Sequence, residues 1–325
     1  MPMGTLSPLA PFRLAPRFVG RVWGFRDLRP WYDHVVAEGQ DAVGEVWLTG
    51  DENLVATGPF AGRKLGEVFA EVGRELLGES APETASPLLA KVLFAADKLS
   101  VQVHPDDRMA QKYGDPRGKT ECWYVLDAKP GAQLAVGLKQ GVTLDQVRAE
   151  IADGTLEQSL KAESVQTGEM IFVDAGTVHA IWPGAIILET QQNCDLTYRM
   201  FDYGRPRPLH VEKSLEATRF ATRAGKVPPV ELCDRTVLID VEYFRVEQVK
   251  VKGAITREAL CGDQPTGLAY VFAAAGAARI EGEGFEAFEL PTRSVAVLPA
   301  TASNFTVRDL GGLELIRLVP RWPKA

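Results

Sequence analysis

The apolar positions of this chain follow two rhythms. In 64–77, Leu65, Val68, Phe69, Val72 and Leu76 advance by three- and four-residue steps, and Leu144, Val147, Ile151, Leu156 and Leu160 do the same over 144–160. Such spacing gathers side chains on one helical face, so both stretches are predicted helices, with a third over His210 to Phe220. Elsewhere short runs of β-formers dominate: Glu45-Val-Trp-Leu, Leu89-Ala-Lys-Val-Leu-Phe, Cys122-Trp-Tyr-Val-Leu, Met170-Ile-Phe-Val, Ala185-Ile-Ile-Leu and Ser294-Val-Ala-Val-Leu. Gly, Pro and Asp punctuate them at strand-and-turn intervals. Many short strands with few helices predict a mainly β protein, an antiparallel barrel or sandwich, and no phosphate-binding glycine loop follows a strand.

A length of 325 residues suggests two domains. The basic, proline-rich passage through Arg205-Pro-Arg-Pro-Leu and Arg219 to Pro229 marks the join. It divides a module over 1–225, with helical insertions near 64–80 and 144–160, from a second β module over 226–325.

Charge narrows the choice of partner. A net charge of −7 and a pI near 5.3 disfavour nucleic acid and anionic membranes, both of which need a basic face. The segment from Met1 to Phe18 lacks a continuous apolar core and does not read as a signal peptide. The longest uncharged run, Gln264 to Ala278, is too short to span a bilayer. Four cysteines, Cys122, Cys194, Cys233 and Cys261, form no CxxC pair, which fits reduced thiols in a cytoplasmic protein.

Within this frame one pattern carries chemistry. In Ser100-Val-Gln-Val-His-Pro-Asp-Asp107, Gln102 and His104 stand two apart in a strand-like run and so share a face. Glu121 follows 17 residues after His104, and His179 follows 58 residues after Glu121. An amide oxygen, two imidazoles and a carboxylate suit a divalent ion such as zinc, and the set leaves room for water or substrate. With one anionic ligand the site would stay positive and could stabilise a developing anion. His34 and His210 lack comparable neighbours.

Further along, Gly168-Glu-Met-Ile-Phe-Val-Asp-Ala-Gly-Thr-Val-His179 resembles the second conserved box of cupin barrels. Together with Ser100 to Asp107, Gly118-Lys-Thr-Glu-Cys-Trp-Tyr124, Gly176-Thr-Val-His-Ala-Ile181 and Glu189-Thr-Gln-Gln-Asn-Cys-Asp-Leu-Thr-Tyr-Arg-Met-Phe-Asp202, it is similar to type I mannose-6-phosphate isomerases in their short bacterial form. The motifs span about Leu99 to Arg205, with a weaker likeness over the whole chain. Asp174 stands where many cupins have proline, and Cys194 where relatives often have serine.

The resemblance implies two cupin-like jelly-roll modules and one Zn2+ per chain held by Gln102, His104, Glu121 and His179. It also implies interconversion of mannose 6-phosphate and fructose 6-phosphate. Such a reaction moves a proton between C1 and C2 through an enediol and needs an acid/base pair and an anion stabiliser. Lys119 shares the side of Glu121 if that run is extended, and a nearby metal cation would lower its pKa, which makes it a candidate base; a surface lysine or a phosphate contact explains it too. Arg199 falls on the family's catalytic arginine, and Asp195 either orients it by an ion pair or transfers a proton. Ser100 and Asp106 read equally as substrate contacts or turn and cap residues.

The alternating polar positions from Glu189 to Arg199 fit either a solvated face or a barrel interior. Arg108, Arg205, Arg207 and Lys213 are candidates for phosphate binding, with none singled out. The second module has no histidine, and Glu289 to Ala300 resembles a cupin strand that has lost its ligands, so the module reads as a structural lid or packing partner. Two other readings remain open: a cupin oxygenase or other metal-dependent sugar-modifying enzyme, and a non-catalytic sugar-binding cupin.

Overall fold

The computed structural model describes residues 6–261 and 267–323. The first five residues of the Met1 to Phe18 segment and the beginning of the Gln264 run lie outside that range. Among the described residues no helix is long and apolar enough to cross a membrane. Four antiparallel sheets dominate the regular structure of the described residues, and the chain separates into two compact units.

One unit comprises Phe18–Val46 and Ala90–Pro228. Its larger sheet runs in the order Gly225–Val227, Met170–Val173, Glu121–Ala128, Ala185–Gln192, Leu88–Phe94, Val43–Trp47 and Arg17–Phe25. Its smaller sheet runs Tyr198–Phe201, Val101–Val103, His179–Ile181, Gln133–Leu138 and Leu160–Ser164. Trp123, Val125, Ile171, Ile187 and Leu93 from the first sheet join Leu134, Val136 and Ile181 from the second in a single apolar cluster, so the two sheets pack face to face. The reverse face of the smaller sheet, through Val101, Val103, Ala135, Ala180 and Met200, is covered by Val147, Ile151 and Leu215 from the helices Leu144–Asp153 and Val211–Ala217.

Helix Leu144–Asp153 ends earlier than its apolar rhythm predicts. Thr143 caps its start by accepting from the Gln146 N–H at 3.2 Å. Gly154 then takes up φ 73°, the left-handed conformation that terminates helices. Leu156 and Leu160 still reach the core, but from a 3-10 turn and the first residue of a strand.

The other unit comprises the residues up to Arg17, Trp47–Leu89 and the residues from Pro229 onward. It is a second sandwich whose core draws Val249, Val271 and Leu315 from a seven-stranded sheet and Ile280, Leu290 and Val307 from a four-stranded one. Helix Leu65–Leu77 belongs here: its Leu76 carbonyl accepts from the Ala300 N–H at 2.8 Å. One seam between the units falls at Pro228/Pro229, but an N-terminal strand and this helix group with the C-terminal sheets. A single cut at residue 225 has no place for them. The strand Phe12–Leu14 pairs with Val295–Leu298, a long-range contact that local composition does not encode.

Candidate metal centre and active site

The inner face of the first sandwich changes character along its length. Residues two apart on a strand share a face, so Trp23 is followed inward by Arg21, Leu93 by Lys91, Ile187 by Glu189, Trp123 by Glu121 and Ile181 by His179. The first member of each pair lies in the apolar cluster. The second members are polar and converge, and Lys91, Glu121, His179 and Glu189 are all buried. The site is therefore one end of the sandwich interior, where each apolar row gives way to a functional group.

Strand pairing fixes the register of the candidate ligands. His179 sits opposite Gln102 across one ladder, and Arg199 sits opposite Gln102 across the next. Glu121 opens its strand opposite Gln191 and Val173. The His104 carbonyl accepts from the Gly176 N–H at 2.8 Å, and the Pro105 carbonyl accepts from the Lys119 N–H at 3.0 Å, which ties both histidine-bearing segments and the Lys119 segment together. Gly118 makes this approach possible: a Cβ there would lie 2.5 Å from the Pro105 carbonyl oxygen.

The result is a buried trio, His104, Glu121 and His179, whose donor atoms all lie within 4.8 Å of one another. His179 Nε2 is 3.5 Å from Glu121 Oε1, and His104 Nε2 is 3.5 Å from Glu121 Oε2. The Gln102 amide lies 3.2 Å from His179 Nε2, and rotation of that amide presents either its oxygen or its nitrogen.

Protonation decides what this geometry means. Burial pushes the His179 imidazole down to about 4, and its hydrogen bond to the Thr177 carbonyl offsets only part of that. Burial, with Lys119 beside it, holds His104 well below the ordinary histidine range as well. Both rings are neutral near pH 7. His179 Nδ1 lies 2.9 Å from the Thr177 carbonyl and donates to it, so its Nε2 lone pair faces a carboxylate oxygen. Two electron-pair donors held this close in a buried site suit a cation between them. The donor set thus fits a divalent metal by its own chemistry.

Around the trio stand charged residues. Lys119 Nζ is 2.9 Å from Glu121 Oε2 and 3.0 Å from His104 Nε2. Burial lowers the Lys119 pKa, but Glu121 and Glu189 outweigh burial and raise it, so the side chain is an ammonium. Lys91, 3 % exposed, lies 3.1 Å from Glu189 and 3.2 Å from Asp195. The Glu189 carboxyl is raised by burial and by Glu121, and the indole N–H of Trp123 donates to it at 3.2 Å.

A cleft of about 320 Å³ opens over this group, lined by Gln102, Lys119 and Arg199 among the expected residues. Ser100 and Asp195 line it also. Asp195 does not hold Arg199. The chain bends through 193–197 before the strand Tyr198–Phe201, so side-chain parity is lost, and Asp195 instead pairs with Lys91 and, at 3.9 Å, with Arg21. Burial would raise the Asp195 carboxyl, but Lys91, Lys119 and Arg21 hold it below its usual value. The carboxylate nearest Arg199 is Asp202, at 3.9 Å. Asp106 caps the helix Asp107–Lys112 through the Met109 N–H at 2.8 Å, a structural role.

Residues 12–148 match the model of the phosphomannose isomerase type I catalytic domain. A mannose-6-phosphate isomerase of Streptococcus mutans is 33% identical over 319 residues, covering 94% of this chain and 97% of that protein. The chain belongs to the type I phosphomannose isomerase family. A probable mannose-6-phosphate isomerase of Bacillus subtilis is likewise 33% identical, over 91% of this chain and 96% of its own length. The crystal structure of a mannose 6-phosphate isomerase from Bacillus subtilis superposes with a TM-score of 0.83 at 29% identity, covering 95% of this chain and 99% of that one. Membership in this family agrees with a mainly β chain whose polar inner rows meet at one end.

Proposed function

We propose that this chain is a zinc-dependent aldose-ketose isomerase that interconverts mannose 6-phosphate and fructose 6-phosphate. The observation that carries this reading is the convergence of His104, Glu121 and His179 beneath a cleft that also receives Lys119 and Arg199, in a member of the phosphomannose isomerase family. Gln102, His104, Glu121 and His179 would hold the ion, whose nitrogen and hard-oxygen donors suit zinc. When bound, the metal supplies Lewis-acid polarisation of the sugar oxygens.

The chain's own residues account for the proton chemistry. Glu189, with its raised carboxyl pKa, suits exchange of the carbon-bound proton between C1 and C2. Lys119 and Lys91 are held as ammonium groups by their carboxylate neighbours and can donate to a developing oxyanion. Arg199 presents a permanent cation at the cleft wall, where it can orient the substrate oxygens. The apolar wall of Trp23, Leu93 and Leu99 excludes water from the reacting carbons. Four free cysteines support a reducing, cytoplasmic setting.

Chelator-treated, dialysed protein should lose mannose 6-phosphate conversion and regain it when zinc is added. Full activity in metal-free protein would overturn the assignment.

A further inference from the structure

The isomerase reading puts Lys119 to work but leaves open what fixes the segment that carries it. Lys119 lies just before the strand Glu121–Ala128, outside regular structure. That strand pairs with Ala185–Gln192, and Gln191 stands opposite Glu121. Their ladder therefore runs out beside Lys119, at Thr120 and Gln192.

There the hydrogen bonding is altered. Two residues of a hydrogen-bonded antiparallel pair ordinarily exchange both of their N–H···O bonds. Half of that exchange is made: the Gln192 N–H donates to the Thr120 carbonyl at 3.1 Å. The return bond is diverted, because the Thr120 N–H donates at 2.9 Å to the side-chain Oε1 of Gln192. The main-chain carbonyl of Gln192 accepts instead from Nε2 of Gln191 at 3.2 Å, and that nitrogen also donates to the Cys194 carbonyl. Thr120 and both glutamines are buried, where water does not supply a substitute bond.

The diversion serves both sides of the ladder's end. The chain leaves the sheet after Gln192 with the main chain of that residue fully bonded, and it bends through 193–197 to bring Asp195 to Lys91 at 3.2 Å. On the Lys119 side, Gln192 Nε2 donates to Asp107 Oδ1 at 2.9 Å, and the same oxygen accepts the Gly118 N–H at 2.7 Å. The Pro105 carbonyl holds the Lys119 N–H at 3.0 Å. Each amide from Gly118 to Thr120 is thus anchored, the outer two by the side chains of Asp107 and Gln192. A carboxylate only accepts and an N–H only donates, so one orientation of the Gln192 amide satisfies both ends.

We infer that Gln192, braced by Asp107, is a positioning residue for the reaction. It fixes the Gly118–Thr120 segment and so holds Lys119 Nζ 2.9 Å from Glu121 and 3.0 Å from His104. Gln192 is not among the residues that line the cleft, and it acts through Lys119. The inference rests on the isomerase reading for the use made of Lys119, but the brace itself can be tested without turnover.

A double-mutant cycle on the metal-loaded enzyme, with metal content measured in every variant, separates positioning from general support. Gln192→Met keeps the length of the side chain and removes its polar atoms. It should lower kcat for mannose 6-phosphate about tenfold, leave KM within about twofold and keep the metal. In a Lys119→Ala background the same substitution should cost less than about twofold, because the group it positions is gone. Amide hydrogen exchange in the Gly118–Thr120 segment should quicken in Gln192→Met whether or not the enzyme turns over. Equal losses in the two backgrounds, wild-type kcat in Gln192→Met, activity lost together with the metal, or full turnover in Lys119→Ala would each overturn the positioning role. If Gln192→Met does not fold, Asp107→Ala removes the other half of the brace and is read in the same cycle. Exchange that quickens on substitution, in a protein whose wild type does not isomerise mannose 6-phosphate, would keep the brace and remove the isomerase reading.

Discussion

Glu121 and Glu247 are both fully buried carboxylates in antiparallel sandwiches, yet they keep opposite company. Glu247 faces Arg317 at 2.6 Å, Arg245 at 2.7 Å and Arg235 at 3.3 Å. The spare donors of Arg235 and Arg317 go to the carbonyls of Ala259, Leu260 and Cys261, at the end of the helix Arg257–Cys261. Every neighbour brings a permanent proton, so the network is closed and structural. Glu121 instead faces two neutral imidazoles and one lysine at the foot of a cleft. A buried charge matched wholly by permanent cations holds a fold together, whereas one that also faces two neutral imidazoles offers a donor set for a further cation.

The contrast breaks most sharply at His179. His179→Ala should lose the bound metal, with a loss of activity exceeding the roughly 10–100-fold cost of removing a ligand's hydrogen-bond partner. Lys119→Ala should keep the metal and lose turnover by about 10²–10⁴-fold if its proton is used in the reaction. Metal quantification beside steady-state kinetics checks both. A Lys119→Ala enzyme with wild-type turnover would remove that residue from the chemistry.

The other side of the comparison should respond in stability alone. Arg317→Met leaves Glu247 short of its closest partner and should destabilise the protein by about 3 kcal/mol, the lower end for breaking a buried ion pair, because Arg235 and Arg245 remain. Denaturant titration reads the loss. Metal content and kcat per folded molecule should stay at their wild-type values, and a matching fall in kcat would mean that the second network also serves the site.

The sequence made one of these regions far easier to find than the other. Gln102, His104, Glu121 and His179 lie in short local motifs, and their meeting follows from strand parity and the ladders that join them. Lys91 is harder to see, because its signal is a single charge in the otherwise apolar run Leu88–Phe94, and only a strand buried along its whole length forces that side chain inward. Glu189 sits on a strand flanked by Glu121–Ala128 and Leu88–Phe94, which turns its polar face into an interior one and discards the solvated alternative. The Asp195–Arg199 pair fails because parity was carried through a bend. His210, unassigned from its neighbours, brackets Arg199: its Nδ1 accepts the Arg199 N–H at 3.1 Å, and its own N–H donates to the Arg199 carbonyl at 2.8 Å. The arginine network around Glu247 has no local signature, since its members are brought together by sheet pairing across some 80 residues of sequence.

Acid is the mildest way to separate the two regions. His179 is pushed down to about 4 in the folded protein, against an ordinary value of 6.5. Between those values the unfolded chain binds the extra proton and the folded one does not, so stability conferred by the neutral ring is complete above the unfolded value and is lost as pH falls toward 4. In chelated protein, the drop from pH 7 to pH 5 should cost about 2 kcal/mol from His179, and His104 acts in the same direction. The arginines around Glu247 stay charged throughout this window. Arg317→Met should therefore lower the whole stability curve while keeping its acid slope, and His179→Gln should flatten the slope. A wild-type curve that stays level from pH 7 to pH 5 would contradict a buried neutral His179.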